Sequence, residues 1–189
     1  MESDPIYRLD HLVVAARTVE EGARWVEERL GAPTVAGGRH SLMGTHNRLL
    51  SLGPQRYLEV IAIDPQAPAP RRARWFDLDS STMRERLDSG PALIHWVERT
   101  DDIEAALHAN AGGIEILSAA RGPYRWRIGV PRDGARPGAG AQATLIQWDG
   151  NRHPAADLPA SGCELVAFEH AGASLAATFS TPLGMRRIS

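Results

Sequence analysis

The sequence predicts an α+β fold built from two tandem βαβββ modules and a shorter C-terminal βα fragment. Strand-like and helix-like segments follow one another in the same order in the two halves of the chain. Histidine also recurs at matched strand positions, in Leu-Asp-His at 9–11 and Leu-Ile-His at 93–95. A second matched pair, Glu59 and Gln147, follows at nearly the same offset. This internal repetition indicates a duplicated module.

Length and composition favour one domain over residues 1–189. A chain of 189 residues with 43% hydrophobic residues is large enough to build one core. The net charge of −2 comes from interspersed charges, which argues against a nucleic-acid partner. There is no apolar run of about 18 residues, and the N-terminus is acidic. We expect a cytoplasmic protein without a membrane partner that binds a small molecule, as a monomer or a homodimer.

The first module is predicted over residues 8–64. Its opening strand, Arg8–Ala15, alternates Leu9, His11 and Val13 on one side. The helix Thr18–Leu30 has a threonine N-cap and ends at Gly31, where a left-handed residue is favoured. Three further strands are expected over Pro33–Gly37, His46–Leu52 and Arg56–Ile63.

The second module is predicted over residues 91–150, after a connector over 65–90 that contains a short helix, Asp79–Leu87. Its elements repeat the order of the first module, with the Asp133–Gly140 stretch as a loop between the last two strands. They are a strand Ala92–Glu98, a helix Thr100–Ala111 ended by Gly112-Gly113, and strands Ile114–Leu117, Tyr124–Val130 and Ala143–Trp148.

The C-terminal extension, residues 151–189, is predicted to add a strand at Cys163–Glu169 and a helix at Ala171–Phe179. We expect this fragment to cover an open edge of the sheet. Cys163 is the one cysteine, so it has no internal disulfide partner and is expected as a buried small residue. All 21 basic residues are arginine, which excludes lysine Schiff-base chemistry.

Six short motifs carry a family resemblance over about residues 8–185. Together and in this order they resemble the glyoxalase-like domain branch of the vicinal oxygen chelate superfamily. The resemblance implies two modules whose sheets curl around a pocket, often with a divalent metal held by the first and last strands of each module. The motifs are Leu-Asp-His-Leu-Val-Val at 9–14, Gly-Thr-His-Asn at 44–47, Tyr-Leu-Glu-Val-Ile-Ala at 57–62, Ile-Gln-Trp-Asp at 146–149, His-Pro-Ala at 153–155 and Gly-Cys-Glu-Leu at 162–165.

The resemblance places the four metal-ligand positions on His11, Glu59, His95 and Gln147. Imidazole nitrogen and side-chain oxygen suit zinc, nickel, manganese or iron. Glu59 is the member of the set that can also act as a base beside a carbonyl, since Gln147 accepts no proton at neutral pH. The resemblance thus implies a metal-dependent isomerase, epimerase or lyase, and iron dioxygenase chemistry ranks lower because Gln147 replaces an acidic ligand.

Alternative interpretations of the same residues remain open. Each histidine is also a plausible core residue, and Glu59 is also a plausible ion-pair partner of Arg39, Arg48 or Arg127. A metal-free protein that binds or sequesters a small molecule in the same pocket is therefore the second hypothesis for function.

Five further residues are candidate substrate-binding groups. His46 and Asn47 follow the Gly44-Thr45 turn, where a loop can close over a ligand. Arg125 and Arg127 share one strand face and form possible anion-binding forks, and Trp148 is a candidate stacking surface. A plain turn, a solvated arginine face and ordinary aromatic packing are the corresponding structural alternatives.

Overall fold

A computed structural model of the protein describes residues 7–108 and 113–189. The first module consists of β1 (Arg8–Ala15), α1 (Val19–Leu30), β2 (Val35–His40), β3 (Thr45–Ser51) and β4 (Tyr57–Ile63). After α2 (Ser81–Asp88), the second module consists of β5 (Ala92–Arg99), α3 (Ile103–His108), β6 (Ile114–Arg121), β7 (Tyr124–Pro131), a 3₁₀ turn (Pro137–Gly140) and β8 (Thr144–Trp148). The C-terminal part consists of α4 (Pro154–Asp157), β9 (Glu164–Ala171), β10 (Ser174–Thr181) and β11 (Gly184–Ile188).

The two modules form one eight-stranded mixed sheet. Its strand order is β2-β3-β4-β1-β5-β8-β7-β6, so β1 and β5 lie side by side at the centre. These two strands are antiparallel, whereas β1 pairs with β4 and β5 pairs with β8 in parallel. The edge strands β2 and β6 contact each other, so the sheet curls almost into a closed barrel. The predicted α+β fold with two βαβββ modules is confirmed.

Local capping signals define α1 as the sequence predicts. The Thr18 side chain accepts a hydrogen bond from the Glu21 backbone N–H at 3.1 Å. Gly31 takes the left-handed conformation at φ 68° and ends the helix. Both ends of the helix are therefore satisfied by residues next to it in sequence.

Two hydrophobic cores lie on opposite faces of the curled sheet. The convex face packs α1 and the C-terminal strands against residues such as Leu12, Leu58 and Leu93. The concave face is filled by residues from both modules and from the connector, including Trp75, Phe76 and Ile128. The alternating sides of each strand thus supply two separate cores.

The connector between the modules is part of the concave core. Trp75 and Phe76 are 3% exposed and pack with Met83 and Leu87 of α2 inside the curl of the sheet. Phe76 and Asp77 both have positive φ angles, 62° and 61°. This conformation costs non-glycine residues about 1–3 kcal/mol each, so surrounding contacts must hold it. The Asp77 N–H donates to the Gly134 carbonyl at 2.9 Å.

The C-terminal helix prediction was wrong. The residues expected to form a helix at Ala171–Phe179 instead form most of β10, the central strand of a three-stranded antiparallel sheet. Leu175, Ala177 and Phe179 are buried with the two-residue period of a strand. The alanine-rich composition favours a helix, but pairing with both β9 and β11 outweighs this weak propensity.

The C-terminal sheet packs on the convex face and not on an edge of the large sheet, contrary to expectation. Phe179 and Ile188 join the same core as Leu12 and Leu30. Cys163 is buried there as predicted, and its thiol donates to the Leu30 carbonyl at 3.7 Å. This sheet therefore contributes to the main core of the protein.

The end of α3 cannot be compared with its prediction. The helix is described as Ile103–His108, and the expected continuation to Ala111 and the stop at Gly112 lie outside the described residues.

Within residues 7–108 and 113–189, no helix is both long and apolar enough to cross a membrane.

We predict that Phe179→Ala destabilises the whole protein by about 3–5 kcal/mol, because it leaves a cavity in the convex core. Urea unfolding followed by circular dichroism measures this change. Met185→Ala, at a side chain 56% exposed on β11, is the matched control and should change the free energy of unfolding by less than about 0.5 kcal/mol. Equal effects of the two substitutions would show that the C-terminal sheet is not part of the core.

Candidate active site

A cleft opens on the concave side of the curled sheet. Its open volume is about 30 Å³, enough for about two water molecules. Polar groups from the first module face aromatic and aliphatic groups of the connector and the second module. The lining residues are His11, His40, Tyr57, Glu59, Trp75, Phe76, Arg121, Trp126, Ile128, Ile146 and Trp148.

His11 is oriented by the residue that precedes it. The buried Asp10 carboxylate accepts a hydrogen bond from His11 Nδ1 at 2.6 Å, which leaves Nε2 as the ring nitrogen toward the cleft. Strand alternation predicts that Asp10 and His11 lie on opposite faces. A bulge between Leu9 and His11 in the pairing of β1 with β5 leaves Asp10 as the extra residue. Bulges of this kind redirect a side chain.

Asp10 also accepts hydrogen bonds from two other elements. Trp148 Nε1 and His153 Nε2 each donate to Oδ2 at 2.9 Å. Burial acts to raise the pKa of Asp10, but the hydrogen bonds and charges of His11 and His153 outweigh it and hold that pKa well below its usual value. Asp10 is therefore a carboxylate at neutral pH, and His11 keeps its Nδ1 proton.

Glu59 faces His11 across the cleft. Its Oε2 lies 3.6 Å from His11 Nε2, which is too long for a direct hydrogen bond. Its other oxygen, Oε1, accepts a hydrogen bond from Asn47 Nδ2 at 2.6 Å. One carboxylate oxygen is thus fixed, and the other is directed toward the imidazole.

Asn47 links Glu59 to Arg121 of the second module. Arg121 Nη1 donates to Asn47 Oδ1 at 3.0 Å. This assigns the amide orientation, because a carboxylate only accepts and a guanidinium only donates. The hydrogen bond also crosses the seam between the edges of the sheet, since Arg121 is the last residue of β6 and Asn47 lies beside β2.

Two glycines of β2 make room for this link. A Cβ at Gly37 would lie 2.1 Å from Asn47 Oδ1. A Cβ at Gly38 would lie 2.8 Å from Cδ of Arg121, and Gly38 has a φ of 147°. Side chains at these positions would displace both partners.

His40 lies behind this network as a neutral residue. Its Nδ1 is 3.1 Å from Thr45 Oγ1, and its ring packs edge-on against Trp75 and Trp126. Burial, followed by the charge of Arg121, lowers the pKa of His40 to about 3.

Tyr57 stacks on His11 with ring centroids 4.5 Å apart, and burial raises the pKa of its hydroxyl well above the usual value.

The repeat does not continue into the second half of the site as predicted. Glu59 pairs with the residue two after His11, and Thr144 pairs with the residue two after His95. Thr144 is therefore the structural counterpart of Glu59, and its hydroxyl lies 2.9 Å from His95 Nε2. His95 is fully buried beneath Phe76, with ring centroids 5.4 Å apart, and does not line the cleft.

Gln147 and Arg127 lie on the opposite face of the sheet, which corrects their predicted placement in the pocket. Gln147 accepts hydrogen bonds from the Ile103 N–H at 3.0 Å and from Arg127 Nη2 at 2.8 Å. It also donates to the Asp101 carbonyl. Gln147 thus supports the start of α3. Gln147 comes three positions after Thr144, and an odd offset along a strand places a side chain on the opposite face.

Arg125 and His46 are also outside the cleft. Arg125 is exposed and donates to the carbonyls of Gly122 and Tyr124 in its own turn. His46 projects from the other face of β3 into a separate groove that includes Arg39 and Asp64. Of the five predicted substrate-binding residues, Trp148 lines the cleft, and Asn47 contacts the lining residues Glu59 and Arg121.

The donors present do not fit the four-ligand metal site. His11 and Glu59 face the cleft, but His95 Nε2 contacts Thr144 and Gln147 lies on the other face. Among the described residues, no group of three or more His, Cys, Asp and Glu side chains is placed to hold a metal ion. The resemblance implies four ligands for a zinc, nickel, manganese or iron ion. Two of them, His11 and Glu59, face the cleft.

Comparison with known proteins places this arrangement in a family. The family model described as a glyoxalase-like domain matches residues 9–181. The chain belongs to the glyoxalase-like domain family of the vicinal oxygen chelate superfamily. No curated protein sequence matches it.

Solved structures are similar to this glyoxalase-like protein at low sequence identity. A hypothetical protein from Staphylococcus aureus is 16% identical with a TM-score of 0.54, over 76% of this chain and 59% of its own length. The methylmalonyl-CoA epimerase from Mycobacterium tuberculosis is 20% identical with a TM-score of 0.47, over 76% and 88%. A Streptomyces coelicolor methylmalonyl-CoA epimerase variant in complex with 2-nitronate-propionyl-CoA is 18% identical with a TM-score of 0.45, over 74% and 93%.

Three residues of the candidate site were missed from the sequence. Asp10 was assigned to the opposite side of β1 because a bulge leaves no periodic signal. Arg121 lies beyond the strand predicted to end at Leu117. Trp75 lies in the connector, and its apolar neighbours Phe76 and Leu78 were the available signal that this segment is buried.

We predict that stability falls as the pH drops below about 6.5, because two buried histidines must stay neutral. Burial lowers the pKa of both His40 and His95 to about 3, whereas unfolded histidine titrates near 6.5. Between these values the unfolded chain binds more protons, so acid favours unfolding. Each histidine contributes a slope of up to about 1.4 kcal/mol per pH unit. Urea unfolding between pH 4.5 and 7.5 measures the slope.

His95→Gln separates this effect from the titration of other groups. The amide retains a donor near Thr144, and we expect the pH slope to decrease by the share of one histidine. His170→Gln, at an exposed position, is the control and should leave the slope unchanged. An unchanged slope in His95→Gln would contradict the assignment. Asp10 does not interfere, because its lowered pKa places its contribution below this pH range.

Proposed function

We propose that the chain is an enzyme that moves a proton at a carbon next to a carbonyl in a small molecule. Isomerisation, epimerisation and elimination all begin with this step. The observation that supports the proposal is the facing pair of His11 Nε2 and Glu59 Oε2, 3.6 Å apart at the cleft. Two adjacent acid–base groups can remove a proton from one atom and return a proton to another.

Glu59 is the proposed base. Asn47 holds Oε1 by a hydrogen bond at 2.6 Å, so the carboxylate cannot turn away and Oε2 faces the ligand. Glu59 is 5% exposed, and among the described residues its ion-pair partner is His11 and not an arginine. A carboxylate that is fixed but not neutralised by a cation keeps its ability to accept a proton.

His11 is the proposed second acid–base group. Its hydrogen bond to the Asp10 carboxylate keeps the proton on Nδ1 and directs Nε2 toward the cleft. A carboxylate in this position also stabilises the imidazolium that forms when Nε2 takes a proton. Tyr57 stacked on the ring prevents rotation of the imidazole.

The proposed steps pass through these side chains and not through a metal ion, because the donors of the second module are not assembled. The second hypothesis, binding without reaction, has support from the walls of the cleft. Trp75, Trp126 and Trp148 line it, and apolar walls with few polar groups are typical of ligand pockets. The two hypotheses differ in whether a bound compound loses a proton.

Exchange of carbon-bound hydrogen with deuterium oxide tests the proposal. The protein is incubated with 2-oxobutyrate, pyruvate, hydroxyacetone and dihydroxyacetone, and loss of the α-proton signal is followed by NMR. We expect enzyme-dependent exchange with at least one compound. Glu59→Gln and His11→Asn should each lower the exchange rate by about 10²–10⁴-fold, the usual contribution of a general base or acid.

Glu104→Gln is the matched control, since Glu104 contacts Arg127 on the outer face of the sheet. It should exchange at the rate of the native protein. Exchange that survives in Glu59→Gln would rule out this residue as the base. Compounds that bind without any exchange would favour the binding-protein hypothesis.

A further inference from the structure

Arg121 carries a positive charge into the cleft without direct contact to a carboxylate of the described residues. Its side chain is 9% exposed and lines the cleft beside Glu59 and His11. It forms no ion pair with the described residues, and among them its hydrogen-bond acceptor is the neutral amide oxygen of Asn47. A guanidinium that is buried without direct contact to an anion lowers the stability of the fold unless a bound anion pairs with it.

The guanidinium also has unused hydrogen-bonding capacity. Its Nε is buried and has no hydrogen-bond partner in the described part of the chain. A buried donor left without an acceptor costs about 1–3 kcal/mol. Burial is the main cause of the lowered pKa of the neighbouring His40, and the positive charge of Arg121 lowers it further. These two facts indicate a missing anionic acceptor.

The surrounding chain is built to hold Arg121 in this place. Gly38 leaves the space that the Arg121 stem occupies, and Asn47 fixes Nη1 at 3.0 Å. The neighbouring Arg125 points away and binds backbone carbonyls of its own turn. Arg121, and not Arg125, is therefore the arginine of this hairpin that lies in the cleft.

We propose that the cleft binds a small carboxylate and that Arg121 is the residue that holds this group. A planar guanidinium matches the two oxygens of a carboxylate. The inference rests on the proposed function for the reaction but not for binding. The carboxylate is held at Arg121, and the hydrogen-bearing carbon next to the ligand's carbonyl faces Glu59 and His11.

Binding of matched acid and amide pairs tests this assignment. The probes are pyruvate against pyruvamide and propionate against propionamide, with inorganic phosphate as a separate arm. Quenching of tryptophan fluorescence measures the affinity, since Trp75, Trp126 and Trp148 line the cleft. We expect the native protein to bind the acids at least about 10-fold more tightly than the amides, the usual effect of a charged hydrogen bond.

Three variants locate the effect. Arg121→Gln should weaken binding of the acids by about 10-fold to 100-fold, and Arg121→Lys, which keeps the charge but not the planar fork, by a smaller factor. Arg125→Gln should bind like the native protein. Arg121→Lys keeps the test decisive if the loss of charge in Arg121→Gln prevents folding.

Several outcomes would overturn the proposal: equal binding of acids and amides, unchanged affinity in both Arg121 variants, no binding of acids by the native protein, or tighter Arg121-dependent binding of phosphate than of the acids. The test is independent of the reaction. Binding of the acids by the native protein without deuterium exchange would therefore contradict only the proposed function. Exchange of neutral carbonyl compounds without binding of acids would contradict only the assignment of Arg121.

Discussion

The buried carboxylate of Asp10 is the interaction on which the candidate site depends. It accepts hydrogen bonds from His11, Trp148 and His153, which belong to β1, to β8 and to the segment that leads into α4. A carboxylate that is removed from water is stable only when donors surround it. Because Asp10 needs all three donors, the bulge in β1, the position of β8 and the position of the segment that leads into α4 depend on one another.

The two modules share a fold but place different side chains at equivalent positions. Equivalent registers place His11 beside Glu59 in the first module and His95 beside Thr144 in the second. The second pair is buried, and the hydroxyl of Thr144 is a much weaker base or ligand than a carboxylate. The second module contributes the aromatic walls and Arg121 instead. The two modules thus have equivalent backbone pairing, and the side chains that differ between them make the site asymmetric.

The candidate site was predictable where the strands are regular. His11 and Glu59 reach the cleft because β1 and β4 are parallel neighbours, and matched strands with histidine and glutamate indicated this from sequence. Gln147 was assigned to the cleft from an offset between the halves. That offset is uncertain by a few residues, because loop lengths differ between the modules. An error of an odd number of residues places a side chain on the opposite face of the sheet.

The sequence by itself determined the order of the βαβββ elements, the ends of α1 and the two histidine-bearing central strands, because hydrophobic periodicity and capping are local properties. The tertiary structure decided the rest. Asp10 turns toward His11 through a bulge, Arg121 meets Asn47 across a seam between strands distant in sequence, and the C-terminal segment becomes a strand by pairing on both sides. Each of these depends on a neighbour that is brought into contact only when the chain folds.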